Sequence, residues 1–142
     1  MNKSRYVIIS LFVFIIFFLV EYIGHVIILR GSYIENIKLM RTDGVDIMML
    51  NIIAGVIFSF LFCYIFVKGY EGKGLKEGLR FGLVIGSFLW CPKILFEYAN
   101  FNFPGSWPLI WFIFGVIATI FSGIMCAFIY RPTKKTENVL VK

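Results

Sequence analysis

Four long apolar runs, separated by shorter polar segments, divide the chain. They lie at Tyr6–Leu29, Ile47–Val67, Gly78–Ala99 and Pro108–Tyr130. Each run has the roughly 20 mostly apolar residues that an α-helix needs to cross a bilayer. No strand-like alternation of apolar and polar residues occurs, and lipid excludes open strands. We therefore predict an all-α, polytopic four-transmembrane-helix bundle that forms one domain over residues 1–142.

The composition supports integration into a membrane. The chain is 60% hydrophobic and 15% charged, whereas soluble domains are about 45–50% apolar and 25% charged. The basic start "MNKSR" resembles the first part of a signal peptide. The apolar run after it is too long, however, and no cleavage site of the A-x-A type follows. We therefore expect the first run to remain as a span.

The distribution of Lys and Arg predicts the orientation, because such residues near span ends collect on the cytoplasmic side. With the N-terminus inside, ten of the 14 Lys and Arg residues lie on the inner side. The four on the outer side are Arg30, Lys38, Arg41 and Lys93. We predict a multi-pass protein of a bacterial inner membrane with both termini cytoplasmic. Nucleic acid is not an expected partner, because the basic residues are split among short segments without a binding motif.

The first connecting segment, 30–46, is predicted to be an outer loop with a short interfacial helix. Apolar residues recur there at helical spacing, namely Tyr33, Ile34, Ile37 and Met40. Such a pattern suits a helix that lies on the membrane surface. Asp43-Gly44 is a turn signal, and Asp46 is placed to cap the second span.

The second connecting segment, "KGYEGKGLKEGLRFG", is rich in glycine but matches no nucleotide motif. Gly74 follows Lys73 where a phosphate-binding P-loop requires Ser or Thr, and Glu77 replaces the last glycine of the dinucleotide pattern. Two interpretations stay open: a tight cytoplasmic turn, or an anion or lipid-headgroup site at the start of the third helix.

The same segment carries a family resemblance. The run from Lys68 to Gly82 resembles small uncharacterised bacterial four-span membrane proteins, with the likeness in Glu71, Gly72, Lys73, Gly74, Glu77, Gly78 and Arg80. It covers the middle third of the chain. The resemblance implies the four-span fold and no activity.

Small residues predict how the helices pack, because close backbone approach replaces the hydrophobic effect inside lipid. In the third span Gly78, Gly82 and Gly86 form one narrow stripe, and in the fourth Gly115 and Gly123 share a face. These glycines are predicted to make helix contacts, either within one bundle or between copies. Phe81 falls on another face of the third span, where substitution is expected to be mild.

Ionisable and amide side chains inside the spans are the candidate binding residues: Glu21, His25, Asn51, Lys93 and Glu97. The pairs Glu21/His25 and Lys93/Glu97 are each one helical turn apart. Glu21 lies about 12 Å and Lys93 about 9 Å below the outer helix ends at 1.5 Å per residue. Matched depth predicts that Glu21 and Lys93 form an ion pair, with the other three in a layer above. Three interpretations stay open: an ion pair that fixes helix order, a polar cavity for binding or transport, since intramembrane charges mark such sites by default, and snorkelling of Lys93 and Glu97 near the helix end.

Three classes of function remain. We predict an accessory or interaction subunit of a membrane complex, whose partners are the bilayer and other membrane subunits or a second copy. The alternative is a small transporter or ligand-binding protein that uses the cluster of Glu21, His25, Lys93 and Glu97. A membrane enzyme ranks last, because the sequence has a single His and lacks the His/Cys spacing of a metal site. No cofactor and no metal are expected.

Overall fold

The computed structural model describes residues 2–41 and 46–130. Its elements are α1 (Lys3–Tyr22), a π-helix (Ile23–Ile28), α2 (Arg30–Glu35), a 3₁₀ turn (Ile37–Leu39), α3 (Ile47–Lys68), α4 (Leu75–Asn100) and α5 (Ser106–Ile129). The described residues contain no strand. Four helices, counting α1 and the π-helix as one, are long and apolar enough to cross a membrane. The predicted all-α bundle of four long apolar helices is confirmed.

The first connecting segment contains a short helix, as predicted. This helix, α2, is not separated from the first span by a loop, because it follows almost directly on the π-helix. Only Leu29 separates them, and the Tyr33 amide donates to the Leu29 carbonyl over 2.9 Å. The predicted turn at Asp43-Gly44 lies outside the described residues. Asp46 caps α3 as predicted, because its carboxylate accepts from the Met49 amide at 2.9 Å.

The long helices run antiparallel in chain order and pack in the spatial order α3–α1–α5–α4. The closest contact joins α4 and α5. Gly78 lies directly against the backbone of Gly123, and Gly82 lies against the Thr119 carbonyl. Gly86 faces the Thr119 side chain. At each of these three positions a Cβ atom would collide with α5, so the close approach depends on glycine.

Gly115 makes a different contact from the three glycines of α4. Its face is covered by the indole ring of Trp90, which leaves no space for a Cβ atom. The missing side chain on α5 therefore makes room for an aromatic ring of α4.

At the end of the bundle where α1 begins, which we call the Arg5 end, all four long helices meet. The buried residues there include Ile9, Val13, Phe62, Cys63, Phe66, Cys126, Ala127 and Tyr130. The Arg5 guanidinium donates to the Ile129 carbonyl over 2.8 Å. Phe81 packs edge-on against Phe62 and Phe66, with ring centroids 4.9 and 5.2 Å apart. Phe81 thus lies on another face of α4 than the glycine stripe, as predicted, but this face is not free, since the ring contacts α3.

The glycine-rich loop between α3 and α4 is held by a side chain of α4. Both carboxylate oxygens of the buried Glu77 accept backbone N–H groups, from Glu71 at 2.6 Å and from Lys73 at 2.7 Å. Gly72 and Gly74 adopt positive φ values of 78° and 71°, which glycine tolerates without strain. An external anion would have to displace Glu77 from these amides, so the geometry favours the tight-turn interpretation.

Candidate functional site: a polar cavity at the His25 end

The opposite end of the bundle, which we call the His25 end, contains a cavity of about 550 Å³ between α1, α3 and α4. Its apolar wall consists of Phe17, Phe18, Val26, Ala54, Gly55, Phe58 and Leu89, with the rings of Tyr22 and Trp90. Its polar side chains are Glu21, His25, Asn51 and Lys93. A few polar groups in a largely apolar wall are typical of ligand sites of this size.

The cavity is open because α3 stands away from the bundle at this end. Every residue of Ile47–Ala54, the first two turns of α3, is exposed. The next residue, Gly55, is buried against the ring of Phe14 in α1. Helix α3 therefore approaches α1 only from Gly55 onward, and the space beside its first half forms the cavity.

The π-helix brings a third polar side chain into line with Glu21 and His25. In a regular α-helix, residues eight apart lie about 80° apart around the axis. The wider turns of a π-helix rotate less per residue, and this returns Tyr33 to the face that carries His25. Their side chains meet, with His25 Nδ1 and the Tyr33 hydroxyl 2.6 Å apart. π-helical segments are frequent at functional sites.

A continuous chain of hydrogen bonds results, which runs from α5 to the cavity. The Trp111 Nε1–H donates to the Tyr33 hydroxyl oxygen over 2.8 Å. The Tyr33 hydroxyl therefore has its proton available for His25 Nδ1. In a neutral imidazole the remaining proton then sits on Nε2, which lies 3.1 Å from Oε2 of Glu21. The neighbours of His25 thus fix one tautomer and one ring orientation.

The aromatic residues around Tyr33 hold this chain in place. The Trp107 ring is fully buried and packs edge-on against Tyr33 at a centroid distance of 4.6 Å, while its Nε1–H donates to Ser32 Oγ over 2.8 Å. Burial raises the pKa of Tyr33 above its usual value, although the hydrogen bond from Trp111 opposes this effect. Tyr33 therefore stays protonated at neutral pH, as its donor role requires.

Only one carboxylate oxygen of Glu21 has a partner among the described residues. Oε2 faces His25, whereas Oε1 is buried and has no hydrogen-bond partner among the described residues. A buried carboxylate oxygen without a donor carries a desolvation cost. The Glu21 side chain lines the cavity, and Oε1 is the one of its two oxygens that still lacks a donor among the described residues.

Lys93 also lines the cavity, but it does not pair with Glu21. Instead, Lys93 Nζ lies 3.6 Å from Oε1 of Glu97, and Glu21 pairs with His25. The Lys93 ammonium also lies 4.5 Å from the centroid of the Trp90 ring. The predicted Glu21–Lys93 ion pair is wrong, because helix α4 packs on α5 and the cavity separates the two charges.

The structure brings four of the five predicted binding residues together and leaves the fifth at the edge. Glu21, His25, Asn51 and Lys93 share the cavity, whereas Glu97 only contacts it through Lys93. Sequence reasoning missed the polar roles of Ser32, Tyr33, Trp107 and Trp111. Tyr33 was assigned to the apolar face of an interfacial helix, and the only signal for its role is its position two turns beyond His25.

Comparisons of this chain with protein-family models, with curated proteins and with solved structures found no match. Within residues 2–41 and 46–130, no group of three or more His, Cys, Asp and Glu side chains is arranged to hold a metal ion.

Proposed function

We propose that this chain is a membrane-embedded binding protein for an amphiphilic molecule of the bilayer. The observation that carries the proposal is the cavity, in which an aromatic and aliphatic wall ends in Glu21, His25, Asn51 and Lys93. An apolar tail would lie along the rings of α1 and α3, and a polar head would face Glu21 and Lys93. This is the ligand-binding alternative that the sequence left open.

The open side of the cavity supports entry from the bilayer. The side chains of Ile47–Ala54 are exposed although most of them are apolar, which suits contact with lipid tails. A molecule that already resides in the membrane would reach the cavity beside α3 without crossing the bundle. Trp90 and Phe58 would then lie against its apolar part.

We further propose that both termini face the cytoplasm, with the His25 end on the outer side of a bacterial inner membrane. The support is the bias of ten of the 14 Lys and Arg residues toward one side. We expect activity from a C-terminal fusion to a reporter that functions only in the cytoplasm. Activity of an externally active reporter at that position would contradict the orientation.

The packing of the Arg5 end supports binding from one side over transport through the bundle. Phe62, Phe66 and Phe81 fill the space between α3 and α4 there, so a solute would meet a closed wall. The role of accessory subunit stays a prediction, and no contact among the described residues favours a particular partner subunit. The polar cavity gives the binding role a specific site, and for this reason we place it first.

Blocking the cavity tests the proposal directly. We expect Ala54→Trp to fill the space beside α1 and to abolish co-purification of a bound lipid, measured by native mass spectrometry after mild detergent extraction. Ile53→Trp is the matched control, because Ile53 adjoins Ala54 on α3 but does not line the cavity. Equal lipid retention by both variants, or no retained lipid in the parent protein, would contradict the proposal.

A further inference from the structure

The cavity presents two opposite charges to its occupant at separate places. Glu21 and Lys93 are the oppositely charged pair among its lining residues, and they are not within ion-pair distance of each other. Glu21 and Lys93 thus contribute opposite formal charges to the lining. A ligand of high net charge of either sign would leave one of these groups facing a like charge.

The vacant oxygen of Glu21 specifies a hydrogen-bond donor. Oε1 is buried without a partner, while Oε2 is occupied by His25. A cation that carries N–H groups satisfies both the charge and the missing hydrogen bond, and charge-assisted hydrogen bonds are the stronger kind. A quaternary ammonium group supplies the charge but no donor.

Lys93 specifies an anion beside that cation. Its side chain lines the cavity and is half exposed, with Glu97 at 3.6 Å and the Trp90 ring 4.5 Å from the ammonium, so the ammonium is not enclosed by these two partners. Asn51, which is exposed on α3, adds an amide on the facing wall. A phosphate oxygen accepts from both types of donor.

Building on the proposed function, we infer that the ligand is a zwitterionic phospholipid whose head carries a primary ammonium beside a phosphate diester. The ammonium donates to Oε1 of Glu21, the phosphate faces Lys93 and Asn51, and the acyl chains lie along Phe17, Phe18 and Phe58. Phosphatidylethanolamine has this chemistry. The same head without acyl chains would lack the apolar contacts, so the lipid is the form that the cavity selects.

A methylation series of the lipid head tests the inference on the unaltered protein. Phosphatidylethanolamine, its N-monomethyl and N,N-dimethyl derivatives and phosphatidylcholine, all with the same acyl chains, are titrated and followed by native mass spectrometry. We expect similar affinity for the first three, since each retains an N–H donor. The third methyl group removes that donor and should weaken binding about tenfold. A uniform affinity across the series, or tighter binding of phosphatidylglycerol, would overturn the inference.

Variants assign the preference to a residue and separate the two proposals. Glu21→Gln should abolish the preference for phosphatidylethanolamine over phosphatidylcholine, whereas Glu35→Gln, on the exposed part of α2, should retain it. Lys93→Met should weaken binding of both lipids. If Ala54→Trp blocks binding but the parent shows no head preference, the proposed function stands and this inference fails. If Ala54→Trp leaves binding of all four lipids unchanged, the proposed function itself fails, and this inference fails with it.

Discussion

The two ends of the bundle are built from the same helices but differ in how their polar groups are satisfied. At the Arg5 end, the guanidinium of Arg5 and the hydroxyl of Tyr6 donate to backbone carbonyls, and Phe81 closes the gap between α3 and α4. At the His25 end, α3 stands apart and Glu21 keeps a buried oxygen without a partner. Aromatic packing joins α3 and α4 at the Arg5 end, whereas polar side chains surround an open cavity at the His25 end.

This difference separates stability from function along the bundle axis. Close contact between glycines of α4 and α5 costs little and needs no polar group, so it suits the part of the molecule that holds the helices together. Unsatisfied polar groups are expensive in a low-dielectric surrounding. Glu21, which lines the cavity, carries one such group in its Oε1 atom.

The largest effect is expected where the helices approach most closely. Gly82→Ala places a methyl group against the Thr119 carbonyl and the Ile120 backbone of α5. Because backbone atoms cannot rotate away, we expect a loss of about 3 kcal/mol in the free energy of unfolding, the upper part of the usual range for overpacking. Unfolding of the purified protein in mixed micelles measures it.

Gly31→Ala is the matched control for that substitution. A Cβ atom at Gly31 meets nothing within 4 Å, so the same added methyl group should cost nothing and raise helix propensity slightly. If the two variants were equally stable, the contact between α4 and α5 would not be the firm part of the molecule, and the contrast between the ends would be lost.

A smaller loss is expected at the His25 end, from Tyr33→Phe. Removal of the hydroxyl leaves both His25 Nδ1 and the Trp111 Nε1–H without the partner they have now. Each unsatisfied buried group costs about 1–3 kcal/mol, less where water reaches it, and the half-buried position of Tyr33 favours the lower value. Tyr98→Phe, at an exposed tyrosine of α4, should leave stability unchanged.

The Tyr33→Phe variant also tests what fixes the tautomer of His25. The NMR signals of the His25 imidazole report which ring nitrogen carries the proton. We expect the parent protein to prefer Nε2–H and this preference to be weaker in Tyr33→Phe. If the tautomer were unaffected, Glu21 alone would orient His25, and the hydrogen-bond chain from α5 would have no role at the cavity.

The lengths of the apolar runs predicted the helices well, because a segment that crosses a bilayer must satisfy its backbone internally and therefore has a uniform length and composition. The candidate residues were also identifiable, since Glu21, His25 and Lys93 stand out in apolar runs. Their partners were not predictable in the same way. The face of each residue was calculated for regular helices, and the π-helix at Ile23–Ile28 changes the rotation between His25 and Tyr33.

The relative positions of the helices were the other missing piece. Phe81 and Lys93 were assigned to faces of α4, but a helical wheel does not say which helix lies opposite. The structure packs α4 on α5, turns Phe81 toward α3 and leaves a cavity between Lys93 and Glu21. Equal depth therefore did not mean contact.

The smallest expected effect tests whether Glu21 and Lys93, which lie at similar depth, are in contact. In a double-mutant cycle, Glu21→Met and Lys93→Met should be additive within about 0.5 kcal/mol, as for residues without a shared contact. The cycle of Glu21→Met with His25→Phe should instead show a coupling of roughly 0.5–3 kcal/mol, because Glu21 Oε2 and His25 Nε2 are 3.1 Å apart. Both cycles are measured by unfolding of lipid-free protein, since a bound zwitterion would connect Glu21 to Lys93. Equal coupling in the two cycles would mean that the charges meet directly, that the cavity is closed at its polar end, and that the His25 end is as complete as the Arg5 end.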